Sequence, residues 1–151
     1  MSLVEAAHRA VFRLEQSQWI PQLLVRLYVG YFFFETGWAK AQNLDAMTER
    51  FVGWGIPFPG FSAVLSTYTE LAGGALLVLG LGTRLAAVPL LINMLVALLT
   101  VNIRNVGTFD EFFELDTPLY ALFFLWLGFT GPGRVSLDHS LCKRWRRPAE
   151  A

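Results

Sequence analysis

The sequence predicts an all-α integral membrane protein: a bundle of four transmembrane helices, preceded by an amphipathic helix lying on the membrane interface. Three observations carry that expectation. Of 151 residues, 54% are hydrophobic and only 16% are charged, against about a quarter charged in an ordinary soluble domain. The charges are segregated. Residues 85–103 and 117–133 hold none, 20–39 hold Arg26 and Glu35, and 61–82 hold Glu70 alone. These stretches approach the length of about 20 apolar residues that a helix needs to cross a bilayer, the last being somewhat short. Finally, none of them shows the charged face that each helix of a soluble four-helix bundle would carry.

Taken in chain order, residues 1–19 are charged throughout and lack the apolar core of a cleavable signal. Leu3, Ala7, Val11 and Leu14 share one helical face, with Glu5, Arg9 and Arg13 elsewhere, a pattern that suits the membrane surface. The first span, 20–39, contains RLYVGYFFFETGWAK. A loop from about Gln42 to Gly60 follows, in which Leu44, Met47, Phe51 and Trp54 predict a short interfacial helix. GWGIPFPG then breaks the chain. The second span, 61–82, turns through LGLGTR into the third, 85–103, so these two are antiparallel neighbours. The next loop holds the acidic FDEFFELD, read as a solvated face because its spacing does not match a calcium loop. Asp116-Thr117-Pro118 marks the start of the fourth span, 117–133. Residues 142–151 form a basic tail.

Four spans place both termini on one side. That side carries Arg9, Arg13, Arg84, Arg134, Lys143, Arg144, Arg146 and Arg147, whereas the other carries Lys40, Arg50 and Arg104. The positive-inside rule puts the termini in the cytoplasm. Several function classes drop out. The formal net charge is zero, which offers no field for nucleic acid. Cys142 is the only cysteine, so no intrachain disulfide or CxxC pair can form. His8 and His139 lie outside the apolar segments, which predicts no metal or haem site. No glycine-rich nucleotide loop is encoded, so any cofactor is a lipid-soluble one or belongs to a partner.

Helical phase, at about 100° per residue, sorts the remaining polar groups by face. In the second span Ala63, Ser66, Thr67, Glu70, Gly73, Gly74 and Leu77 cluster on one small, polar side, the kind through which membrane helices pack. Glu70 therefore points inward near mid-depth. In the third span Ala86, Pro89, Asn93, Ala97, Thr100 and Arg104 share a side, with Asn93 at the depth of Glu70. In the fourth, Asp116 and Tyr120 share a side. In the first, Arg26, Gly30, Gly37 and Lys40 fall in one arc, while Glu35 faces away. Lys40, at the outer end, is placed to reach toward Glu70 or the outer acids, and Arg26 to snorkel to the cytoplasmic headgroups. The candidate site is thus a polar cluster of Lys40, Glu70, Asn93, Arg104, Asp116 and Tyr120, with Glu70 the candidate for chemistry. A charge at mid-membrane costs at least about 2.5 kcal/mol, so Glu70 must be paired, protonated or hydrated.

The same residues form a recognisable pattern. Arg26 to Lys40, Thr69 to Ala87 (TELAGGALLVLGLGTRLAA) and Gly131 to Leu141 (GPGRVSLDHSL) resemble, in order and spacing, segments of the DoxX family. Arg26, Gly30, Gly37, Lys40, Glu70 and Arg84 match its motifs; Glu35 does not, and Thr36 stands where many members have His or Ser. The resemblance implies a DoxX-like domain over 20–141 in a bacterial inner membrane. It also implies kinship with the small membrane subunit of thiosulfate:quinone oxidoreductase. The expected function is an accessory or quinone-linked subunit of a membrane redox complex, with partner proteins and at most a subunit's share of an oxidoreductase. One alternative is a non-catalytic scaffold that docks partners, with Glu70 in a structural ion pair. Another is a small transporter or proton path, which the lack of an inverted repeat disfavours.

Overall fold

A computed structural model describes residues 15–103 and 106–145, together with positions 5, 8 and 12. Most of the expected surface helix, the tail beyond position 145 and Arg104 lie outside the described residues. Regular structure within them is entirely helical. Helix α1 spans Trp19–Ala41, α2 Leu44–Gly53, α3 Pro59–Leu79, and α4 Thr83–Ala97, which runs on into a π turn at Leu98–Asn102. Helix α5 spans Phe109–Phe113, α6 Asp116–Thr130 and α7 Leu137–Trp145.

Local chemistry sets these boundaries. Asn43 caps α2 by accepting the Ala46 N–H at 3.2 Å. Pro59 opens α3, where its missing N–H costs nothing. The α3–α4 hairpin needs two left-handed residues, and Gly80 (φ +65°) and Gly82 (φ +57°) supply them. Thr108 caps α5 by accepting the Glu111 N–H.

Among the described residues two helices are long and apolar enough to cross a membrane: α3, and α4 with its π extension to Asn102. Helix α1 has the length, at 23 residues, but carries Arg26, Glu35 and Lys40. Helix α6 has 15 residues, or about 22 Å at 1.5 Å per residue.

The packing explains the glycine pattern. Helix α1 lies mainly on α3, α3 also contacts α4, and α4 packs on α6. A Cβ on Gly37 would collide with the backbone of Leu71, and one on Gly74 with the backbone of Phe34. The two helices thus approach backbone to backbone. Between them and the later helices sits a core of Val29, Phe33, Leu77, Leu90, Phe124 and Leu127 with smaller partners. The Phe33 ring meets Phe124 edge-on at 4.9 Å and Tyr120 at 5.2 Å, joining α1 to α6.

Helix α2 forms where the sequence expects a short helix, and its apolar face packs on protein. Its apolar residues Met47 and Phe51 are buried against Ile56 and Ala63, with Trp54 alongside. The hydrophobic face is thus covered by protein. The outer surface of the long helices is the reverse of a soluble protein's. Leu24, Tyr28, Leu65, Leu85, Leu122 and Phe129 all stand exposed, large apolar side chains of the kind that lipid covers.

Candidate functional site

Glu70 sits near the middle of α3 and is only 3% exposed. Its neighbours come from two other helices. Lys40, in the last turn of α1, donates from Nζ to Oε1 at 2.7 Å and to Oε2 at 2.6 Å. Asn93, on α4, donates from Nδ2 to Oε1 at 2.9 Å. The carboxylate therefore accepts three hydrogen bonds, two of them from the Lys40 ammonium.

This cluster forms part of the wall of a partly open cavity of about 890 Å³. The lining is mainly apolar and aromatic, including Phe32, Phe33, Phe51, Trp54 and Ile92. Such a volume with few polar groups is the usual character of a small-molecule site. The π turn at the end of α4 contributes Thr100, Val101 and Asn102; π turns interrupt the regular backbone ladder and recur at functional sites. Asn102 Nδ2 donates to Thr117 Oγ1 at 2.5 Å, tying α4 to the start of α6.

Of the six residues expected to form the cluster, Lys40, Glu70, Asn93 and Tyr120 line this one cavity. Asp116 is exposed and absent from the lining, because the first residue of α6 projects from the helix end. Arg104 is outside the described residues. Arg50 also lines the cavity, and sequence reasoning missed it. It sits between Met47 and Phe51 on α2, and only the docking of that helix turns it toward the opening.

Arg26 corrects the expectation that it snorkels to headgroups. It is 2% exposed. Its Nη1 donates to the Pro132 carbonyl at 2.5 Å and its Nη2 to the Val135 carbonyl at 2.8 Å. The carbonyls left free by the irregular backbone after α6 supply what water would otherwise supply. Arg26 is therefore at the opposite end of the molecule from the cavity. Glu35 is exposed, as its helical phase requires.

Outside the long helices, the acidic loop is partly occupied with its own backbone. Glu111 accepts the Gly107 N–H at 2.8 Å. That bond, with those from Thr108, holds its carboxyl below the ordinary glutamate range. Among the described residues no three His, Cys, Asp or Glu side chains gather as a metal site would require.

The profile of the DoxX family matches residues 22–103. The chain belongs to the DoxX family. This DoxX protein is 36% identical to the membrane protein Rv3486 of Mycobacterium tuberculosis, over 95% of this chain and 96% of that one. It is 32% identical to CatD of Bacillus subtilis, which is described provisionally as an oxidoreductase, over 79% of this chain and 85% of the relative. The inner membrane protein YqjF of Escherichia coli is 28% identical over 82% and 93%. No solved structure matches. The chain is a membrane protein in contact with the lipid bilayer. Lys40, Glu70 and Asn93 fall inside the matched region, whereas Asp116 and Tyr120 fall after it.

Proposed function

We propose that this DoxX-family membrane protein is an accessory, quinone-linked subunit of a membrane redox complex. The observation that carries the reading is the Lys40–Glu70–Asn93 cluster in the wall of an apolar cavity of about 890 Å³. A quinone matches that combination, because its ring and tail are apolar and its carbonyls accept hydrogen bonds. The provisional description of CatD as an oxidoreductase is consistent with it.

In this reading α1, α3, α4 and α6 form a four-helix transmembrane bundle in a bacterial inner membrane. It comprises an interfacial segment at 1–19, the membrane domain at 20–141 and a cytoplasmic tail at 142–151. Both termini are cytoplasmic, since Arg84, Arg134 and Lys143 gather at one end, and Lys40 and Arg50 at the other. The cavity then lies in the extracytoplasmic half.

A second reading has its own supporting observation. Glu70 is fully paired, so the cluster also suits a structural ion pair in a scaffold that docks partner proteins. One experiment separates the two. The protein is extracted gently into lipid nanodiscs, and co-purifying quinones and proteins are identified for wild type and Glu70→Gln. A quinone present in wild type and lost from a folded variant supports the quinone-linked role. No quinone in either, with the same protein partners in both, sinks it in favour of the scaffold.

A further inference from the structure

The walls of the cavity are not equally closed. Between α1 and α3 the glycines Gly37 and Gly74 bring the two backbones into contact. Between α1 and α6 the Phe32 ring stacks on Tyr120 at 5.1 Å. The Asn102–Thr117 hydrogen bond joins α4 to α6, and the Asn93–Glu70 bond joins α4 to α3. Met47, Phe51 and Ile56 are buried where α2 covers the cavity. Lining residues that are also exposed mark where the enclosure ends. Arg50 and Pro57 do so on α2 and just after it. Leu65 on α3, with Pro89, Ile92 and Val96 on α4, do so along the flank between those two helices. Leu65, Ile92 and Val96 are 55%, 56% and 43% exposed. Pro89, Ile92 and Val96 recur at helical spacing, so they form one row on α4.

We infer that the cavity takes a ligand with an apolar tail, which leaves sideways between α3 and α4, over Leu65, Ile92 and Val96, into the surrounding lipid. The inference rests on the quinone-linked reading for the chemistry of the head and adds the path of the tail. Ile92 directly precedes Asn93, whose partner Glu70 sits near the middle of α3. The flank therefore opens at mid-helix, on the two helices that are long and apolar enough to cross a membrane. Hydrocarbon offers no partner to a polar group there. An apolar tail crossing this edge exchanges lipid contacts for contacts with three apolar side chains and strands no polar atom. The other exposed edge carries the charged Arg50, which suits a tail less. Helix α4 also has the two features that most often bend a helix. Pro89 lacks the N–H that would bond the Leu85 carbonyl, and the π turn at Leu98–Asn102 interrupts the ladder again. Together they bracket the stretch of α4 that lines the cavity.

The test measures equilibrium binding of a long-tailed ubiquinone, and separately of the tailless quinone ring, to the full chain in nanodiscs. Each variant is compared with wild type for the same ligand, which cancels partition into lipid. Leu65→Trp and Ile92→Trp narrow the flank from its two sides. Each is expected to weaken the tailed quinone about tenfold, a factor within what overpacking supplies, with the tailless ring bound as in wild type. Both positions are more than half exposed, so neither substitution adds bulk to the core. Val88→Trp, 53% exposed on α4 and outside the lining, is expected to change neither ligand. An equal effect on the two ligands in either flank variant, including no effect, overturns the inference and leaves the quinone-linked role standing. If wild type binds neither ligand, the quinone-linked role falls, and native mass spectrometry of co-purified lipid decides the flank. A tailed lipid held by wild type and lost from both flank variants upholds the tail path; a lipid retained in them, or none at all, overturns it.

Discussion

Lys40 and Glu70 are the residues on which this protein's interior charge balances. A buried pair is weak evidence for net stability, because desolvation offsets most of the attraction, but removing one partner strands the other. Lys40→Met is therefore expected to destabilise the fold by about 3 kcal/mol, the lower end for a broken buried pair, since the Lys40 side chain retains 26% exposure. The double variant Lys40→Met with Glu70→Leu is expected to recover most of that loss, because no uncompensated charge remains. Denaturant titration in detergent micelles checks both; a double variant no more stable than the single one would count against the pairing. Much at this scale was legible in the sequence. Helical phase turned Glu70 inward and depth matched it to Asn93, while Lys40 was left to reach either Glu70 or the outer acids. Asp116 was not legible, because helical phase says nothing about how far a terminal residue projects.

At the scale of elements, the contact between α1 and α3 sets the geometry of the site. Gly37 touches the backbone at Glu70–Leu71, one turn before Lys40. A methyl group there cannot be accommodated by side-chain movement, since the atoms it meets are main chain. Gly37→Ala is expected to push the helices apart, weaken the Lys40–Glu70 contact and cost about 1–3 kcal/mol, as overpacking does. Gly128→Ala, where nothing lies within 4 Å, is expected to leave stability unchanged. Thermal melts of the two variants in matched detergent make the comparison; equal losses would refute the close approach. The motif positions Gly30 and Gly37 were visible in the sequence as small residues on one arc, but the partner helix was not. Helix α2 shows the limit more sharply. Its amphipathic pattern does not say which surface it meets, and only the tertiary structure brings Ile56 and Ala63 against Met47 and Phe51.

Across the whole molecule, the end opposite the cavity is closed by a polar clasp. Arg26 reaches from α1 to the carbonyls of Pro132 and Val135, Gln22 donates to the Gly131 carbonyl at 2.8 Å, and Asp138 accepts the Gly82 N–H at 3.0 Å. The segment after α6 is thereby tied to both α1 and the α3–α4 hairpin. Arg26→Lys keeps the charge but cannot span two carbonyls with a planar fork. It is expected to cost about 2 kcal/mol, within the range for lost hydrogen bonds to a charged group. Faster amide exchange should appear at residues 131–138 with little change around Glu70. Hydrogen exchange by mass spectrometry reads both regions, and unchanged protection at 131–138 would exclude the clasp.

The sequence by itself determined the apolar stretches, their breaks at glycine and proline, the inward faces and the family. These follow from properties local to the chain: hydropathy, backbone preference and a fixed helical turn. The tertiary structure decided that Arg26 is buried, that α2 covers a cavity and that Arg50 faces into it. Each of those depends on which distant backbone carbonyl or apolar surface lies opposite, and that is a property of how helices meet rather than of any one helix.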